Sequence, residues 1–129
     1  MSDPTDPLAW VVRAEEDYAL ARSALRRKRP LTYGVTLHAQ QCAEKYRKAL
    51  LVARGQAFLR PHDLVAVSDL CLRQGILLPV DQDAMERLAA YAVQVRYPGD
   101  GPTPDEAREA FQIAQAVRRC ARKWLKSPP

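Results

Sequence analysis

The stretch HAQQCAEKYRKALL, from His38 to Leu51, holds the residues best suited by type to chemistry: a histidine, two adjacent glutamines and a lysine beside an apolar stripe. On a helical wheel at about 100° per residue, with His38 at zero, Val35, Ala39, Cys42, Tyr46, Ala49, Leu50 and Ala53 fall in an arc of roughly 20 to 120°. That arc predicts a core stripe. His38 lies on its edge, Lys45 close beside it, and Gln41 and Lys48 further round, so the four form one polar strip. Such a strip can hydrogen-bond a neighbouring helix, pair across a dimer or hold an anion, and spacing leaves all three open. A cation with two hydrogen-bonding groups suits a phosphate, which makes His38, Gln41 and Lys45 candidate nucleotide- or RNA-binding residues. Arg96 is a fourth candidate. It is predicted at a helix end, on the flank of a Leu88, Tyr91, Ala92, Val95 stripe, where a pair with a carboxylate is its alternative role.

No catalytic residue is assigned. The chain has no glycine-rich phosphate loop, no metal-ligand spacing and no nucleophile beside a base, and no cofactor is implied. Cys42, Cys71 and Cys120 are far apart and odd in number, each among apolar neighbours in a predicted helix. They read as buried, unpaired thiols acting as small hydrophobes.

The elements that must position these residues are helical. The 129 residues fit one domain, spanning 1–129, that buries roughly two thirds of its unfolded surface. Ala and Leu dominate the apolar content, which favours helices over strands. Asp6-Pro7 predicts the start of a first helix, which ends in the basic cluster RRKR before Pro30. A second is predicted over 31–54, stopped by Gly55, and a third over 62–74. A fourth runs from an Asp81 cap to about Tyr97. The fifth opens at Thr103-Pro104 with Glu106 in the capping-box position and reaches about Leu125. No segment alternates as a strand would. The expected fold is an all-α, up-and-down helical bundle of four main helices plus a short one.

The net charge of +5 leans toward anionic partners such as nucleotides or RNA. The excess is concentrated in Arg26 to Arg29 and in the last helix, at Arg118, Arg119, Arg122, Lys123 and Lys126. Bases also complement the dipole at helix C-termini, so both readings stand. No run of about 18 apolar residues predicts a membrane span, the start does not resemble a signal peptide, and a cytoplasmic location is expected.

Several blocks occur together in a familiar order. AEEDYALARSAL (Ala14 to Leu25), HAQQCAEKYRKALLVARG (His38 to Gly55), PHDL (Pro61 to Leu64), RLAAYAVQVRYPGD (Arg87 to Asp100) and the final EAREAFQIAQAVRRCARKWL resemble HEPN domains, a family of small helical bundles. The resemblance covers nearly the whole chain. It implies a homodimer, and for many bacterial members a separate minimal nucleotidyltransferase as partner in a toxin–antitoxin or regulatory pair. Catalytic members are metal-independent endoribonucleases whose motif is an arginine followed four to six residues later by a histidine. Here Arg96 is followed by Tyr97, Pro98, Gly99, Asp100, Gly101 and Pro102, and the chain's histidines are His38 and His62. The reading is therefore a non-catalytic nucleotide- or RNA-binding subunit. Its alternatives are a divergent endoribonuclease using Arg96 with a histidine from elsewhere, and a dimeric scaffold without an anion site.

Overall fold

Capping chemistry opens the first helix where the sequence places it. The Asp6 carboxylate accepts from the Leu8 backbone N–H at 3.0 Å, and Pro7, which has no N–H to satisfy, takes the first helical position. The computed structural model describes residues 5–55, 82–93 and 101–125. Helix α1 (Pro7–Arg26) ends ahead of Pro30, with Arg27 already extended. The chain then folds back, and the Leu31 N–H donates to the Ala24 carbonyl at 3.1 Å. Helix α2 (Thr32–Ala53) starts without a side-chain cap. It closes with Gly55 at φ +72°, a left-handed conformation that a side chain would strain. Helix α3 (Gln82–Val93) and helix α4 (Pro104–Trp124) complete the described elements. At the start of α4 the capping box is closed in both directions: Glu106 N–H to Thr103 Oγ1 at 3.1 Å, and Thr103 N–H to Glu106 Oε1 at 2.8 Å.

The fold is an all-α helical bundle, with no strand among the described residues. The helix expected over 62–74, the Asp81 cap, Cys71, His62 and the run of the fourth predicted helix toward Tyr97 lie outside the described residues.

Helix α2 is the bundle's axis and packs on α1, α4 and α3. Its predicted stripe is in place, with Val35, Ala39, Cys42, Tyr46, Ala49 and Leu50 all buried. Ala53, in the helix's last turn, is exposed instead. Burial also spreads well beyond the stripe, to Ala43, Glu44, Arg47, Lys48 and Leu51. The wheel implied one apolar face, but a helix sheathed by three neighbours has little free face left. Small residues let α1 and α2 come close: Ala14, Ala21 and Ala24 of α1 are buried, and a Cβ on Gly34 would stand 3.9 Å from the Ala24 Cβ. The two helices run antiparallel. Ala24 meets Gly34, Asp17 meets His38, and Trp10 meets Lys48. Across the core, Tyr18 stacks on Phe111 of α4 with ring centroids 5.2 Å apart.

Candidate functional site

Positions 38 and 45 are seven residues apart on α2, two turns along one line of the helix. Both meet a single carboxylate of α1. Asp17, only 6 % exposed, accepts from Lys45 Nζ at 2.5 Å through one oxygen and pairs with His38 Nδ1 at 2.8 Å through the other. His38 and Lys45 stay partly exposed, with side-chain values of 30 % and 22 %. The carboxylate fixes the ring orientation and leaves Nε2 on its outer edge, with no hydrogen-bond partner among the described residues. A lysine ammonium has three donors, so two remain on Lys45 after the bond to Asp17.

This bridge changes the electrostatics of the strip. One carboxylate offsets the lysine charge, and the His38, Asp17 and Lys45 group carries a net positive charge only when the imidazole is protonated. An anion arriving here meets oriented donors rather than a bare cation. Of the roles open to the strip, bonding to a neighbouring helix is realised by His38 and Lys45.

Gln41 lies apart from the bridge. Its amide reaches the Gln40 side-chain oxygen at 3.4 Å, the long limit of a hydrogen bond. Lys48 does not belong to the strip. It is 5 % exposed, with Nζ 5.2 Å from the centre of the Trp10 ring and 3.3 Å from Glu44 Oε1. The reason is the burial of α2: rotating past Gln41 leads into the α1 interface rather than out to water. Arg96 lies outside the described residues.

A second polar cluster was not foreseen. Glu15 of α1 receives Arg118 of α4 in a two-pronged contact, Nε to Oε2 at 2.6 Å and a terminal nitrogen to Oε1 at 2.9 Å. Arg122 lies 3.2 Å from Oε1, and the Tyr46 hydroxyl donates to the same carboxylate. The Arg118 guanidinium also sits 4.4 Å from the centre of the Tyr18 ring. The hydrogen bond from Arg118 holds the Glu15 carboxyl below its usual range, while burial and the bond to Glu15 push the Tyr46 hydroxyl up. Part of the basic excess of the last helix is thus neutralised inside the protein. A signal existed in the sequence: a tyrosine on a core stripe must find a partner for its hydroxyl. Nothing local said that the partner would be Glu15.

Cys42 is fully buried and Cys120 half-buried, both as free thiols. Among the described residues no group of three or more His, Cys, Asp or Glu side chains could hold a metal ion, and no helix is long and apolar enough to cross a membrane.

The family model described as HEPN domain matches residues 8–124. A crystal structure of TT1696 from Thermus thermophilus superposes with a TM-score of 0.69 at 25% sequence identity, covering 92% of this chain and 97% of that one. No curated protein matches the sequence.

Proposed function

The chain belongs to the HEPN domain family, and from that premise we propose that it is a non-catalytic nucleotide- or RNA-binding subunit. In this reading it works as a homodimer in the cytoplasm, beside a separate minimal nucleotidyltransferase, in a toxin–antitoxin or regulatory pair. The observation that supports it most is the Asp17 bridge, which holds His38 and Lys45 oriented at a partly exposed edge of α2. Preorganised donors bind a phosphate without first losing side-chain freedom. Gln41 adds an amide one turn along, and Arg96 is proposed as the nearby guanidinium. The missing histidine after Arg96 supports a binding role over a catalytic one.

The test is a titration of the protein with labelled ATP and with labelled RNA. Lys45→Gln and His38→Ala should each weaken binding about tenfold, the scale of one charge-assisted contact. Lys45→Arg should retain it. Because Lys45 also bridges two helices, each variant's melting temperature must be followed alongside. Lost stability with intact binding would assign the strip a purely structural part. Co-purification with the product of an adjacent nucleotidyltransferase gene tests the partnership.

One observation favours a second reading. A histidine oriented through Nδ1 by a carboxylate, with Nε2 left over, is suited to proton transfer in RNA strand cleavage. Chelator-resistant cleavage that disappears in both His38→Ala and Arg96→Ala would establish a divergent endoribonuclease instead.

A further inference from the structure

Several basic side chains are committed to carboxylates. Lys45 is held by Asp17, Lys48 by Glu44, Arg87 by Glu109, Arg108 by Asp105, and Arg118 and Arg122 by Glu15. The turn from α1 into α2 is different. Arg26, Arg27, Lys28 and Arg29 follow one another there, all exposed, and no carboxylate among the described residues pairs with any of them. The helix dipole accounts for a cation in the last turn of α1, which is Arg26. The chain is already extended at Arg27, so the other three stand beyond that turn. Four like charges in succession repel one another when nothing offsets them. The start of α4 comes to the same end of the bundle, since a Cβ on Gly101 would stand 3.7 Å from Thr32 Oγ1. Its acids do not serve the cluster, because Asp105 pairs with Arg108 and Glu106 closes the capping box.

Apolar surface is exposed in the same turn. Leu31, two residues after Arg29, is 52 % exposed, and Tyr33, in the first turn of α2, is 49 % exposed. Leu31 occupies the N-cap of α2 and makes no side-chain capping bond. Ser, Thr, Asp or Asn would serve the helix better at that position. A half-exposed leucine there helps neither the cap nor the core, and such local conflicts are expected where a surface has another task. On the α1 side the cluster continues into an open depression of ≈ 320 Å³, where Arg22, Ser23, Arg26 and Arg27 stand around Ala19.

A nucleic acid meets cations with its phosphates but offers no apolar phase to an aliphatic side chain. The surface of an anionic bilayer meets both needs. Its headgroup phosphates attract the cations, and the boundary with the acyl chains takes up leucine and the amphipathic ring of a tyrosine. We propose that the α1–α2 turn docks on an anionic membrane surface. Arg26, Arg27, Lys28 and Arg29 lie at the headgroups, one lipid phosphate sits in the depression beside Arg22 and Ser23, and Leu31 and Tyr33 enter the interface. The bundle rests on the bilayer and no element spans it, in keeping with the absence of a long apolar helix among the described residues.

Flotation of the full chain with phosphatidylcholine vesicles, with and without phosphatidylglycerol, is the test, run at several salt concentrations. The protein should float with the anionic vesicles and stay behind with the neutral ones, and its partitioning should fall as salt rises. Each cation near the surface is worth about fivefold in partitioning. Arg27→Gln combined with Lys28→Gln should therefore lose at least about tenfold and show a flatter salt dependence. Leu31→Ser should lose about tenfold with the salt dependence unchanged. Serine caps a helix better than leucine, so circular dichroism and the melting temperature should show this variant folded. Absence of binding to anionic vesicles, equal binding to neutral ones, or wild-type partitioning of Leu31→Ser would each overturn the proposal. So would a basic variant that loses binding to labelled RNA but keeps its hold on vesicles, which would make the turn a nucleic-acid surface.

Discussion

Glu15 and Asp17 stand two positions apart on α1, yet their basic partners lie on different helices. Asp17 ties α1 to α2 through His38 and Lys45, whereas Glu15 ties it to α4 through Arg118 and Arg122. The Glu15 pairing has a direct consequence for pH dependence. Its carboxyl is held below the usual carboxylate range, first by the hydrogen bond from Arg118 and then by Tyr46, against an opposing effect of burial. A depressed folded-state value stabilises the protein above the unfolded value, and that contribution is lost as pH falls through the folded one. Between roughly pH 5 and 3 the wild type should therefore lose melting temperature more steeply than Glu15→Gln, which has no such proton to bind. Parallel acid limbs for the two proteins would show that other carboxylates govern acid unfolding. Cys42 poses a simpler case. Burial pushes its thiol up, keeping it protonated, and it is 0 % exposed among the α2 core residues. Cys42→Ala removes one buried atom and should cost about 1 kcal/mol in urea denaturation while leaving ligand binding intact.

At the scale of elements, the ends of the helices differ in how much their own side chains do. Helix α2 begins at Leu31 without a capping side chain, and its placement depends on the walls that bury it. Helix α4 is closed at its start by Thr103 and Glu106, with Pro104 behind them and Asp105 adding charge against the dipole. Replacing Thr103 by Ala strands an N–H that has no helical partner and removes one half of the reciprocal pair. A loss of about 1 kcal/mol is expected, measurable as a lower urea midpoint with an unchanged slope. Thr103→Ser should recover most of it. Deeper in the same helix, Glu109 holds Tyr91 and Arg87 of α3, joining the two elements. Burial and the bond to Glu109 push the Tyr91 hydroxyl up to about 12.

For the molecule as a whole, the large exposed apolar side chains include Leu8 and Val12, one turn apart at the start of α1 and 59% and 67% exposed. Patches of this kind are commonly covered by a partner subunit. The proposed homodimer should sediment at micromolar concentration with about twice the chain mass, and its mass should fall on replacing Val12 by a charged residue. A wild-type protein that stays monomeric across that range would remove the dimer from the functional proposal.

The features that the sequence determined by itself are local. Asp6 before Pro7, Thr103 three residues before Glu106, and Gly55 after the last turn of α2 all act over a few bonds, and each does in the fold what its spacing implied. The same holds for the stripe from Val35 to Leu50, since helical periodicity depends on the backbone alone. Tertiary structure decided where the charges went. His38 and Asp17 are 21 positions apart, Lys45 and Asp17 are 28, and Arg118 and Glu15 are 103. A helical wheel says that Lys48 and Lys45 are near each other in phase, but not that one turns into the Trp10 interface while the other reaches a carboxylate. That outcome depends on the rotation and crossing of three packed helices, which are set by the fit of side chains from all of them at once. For the same reason the overall basic charge was legible, while the pairing of Arg118 and Arg122 with Glu15 became visible only in the packed helices.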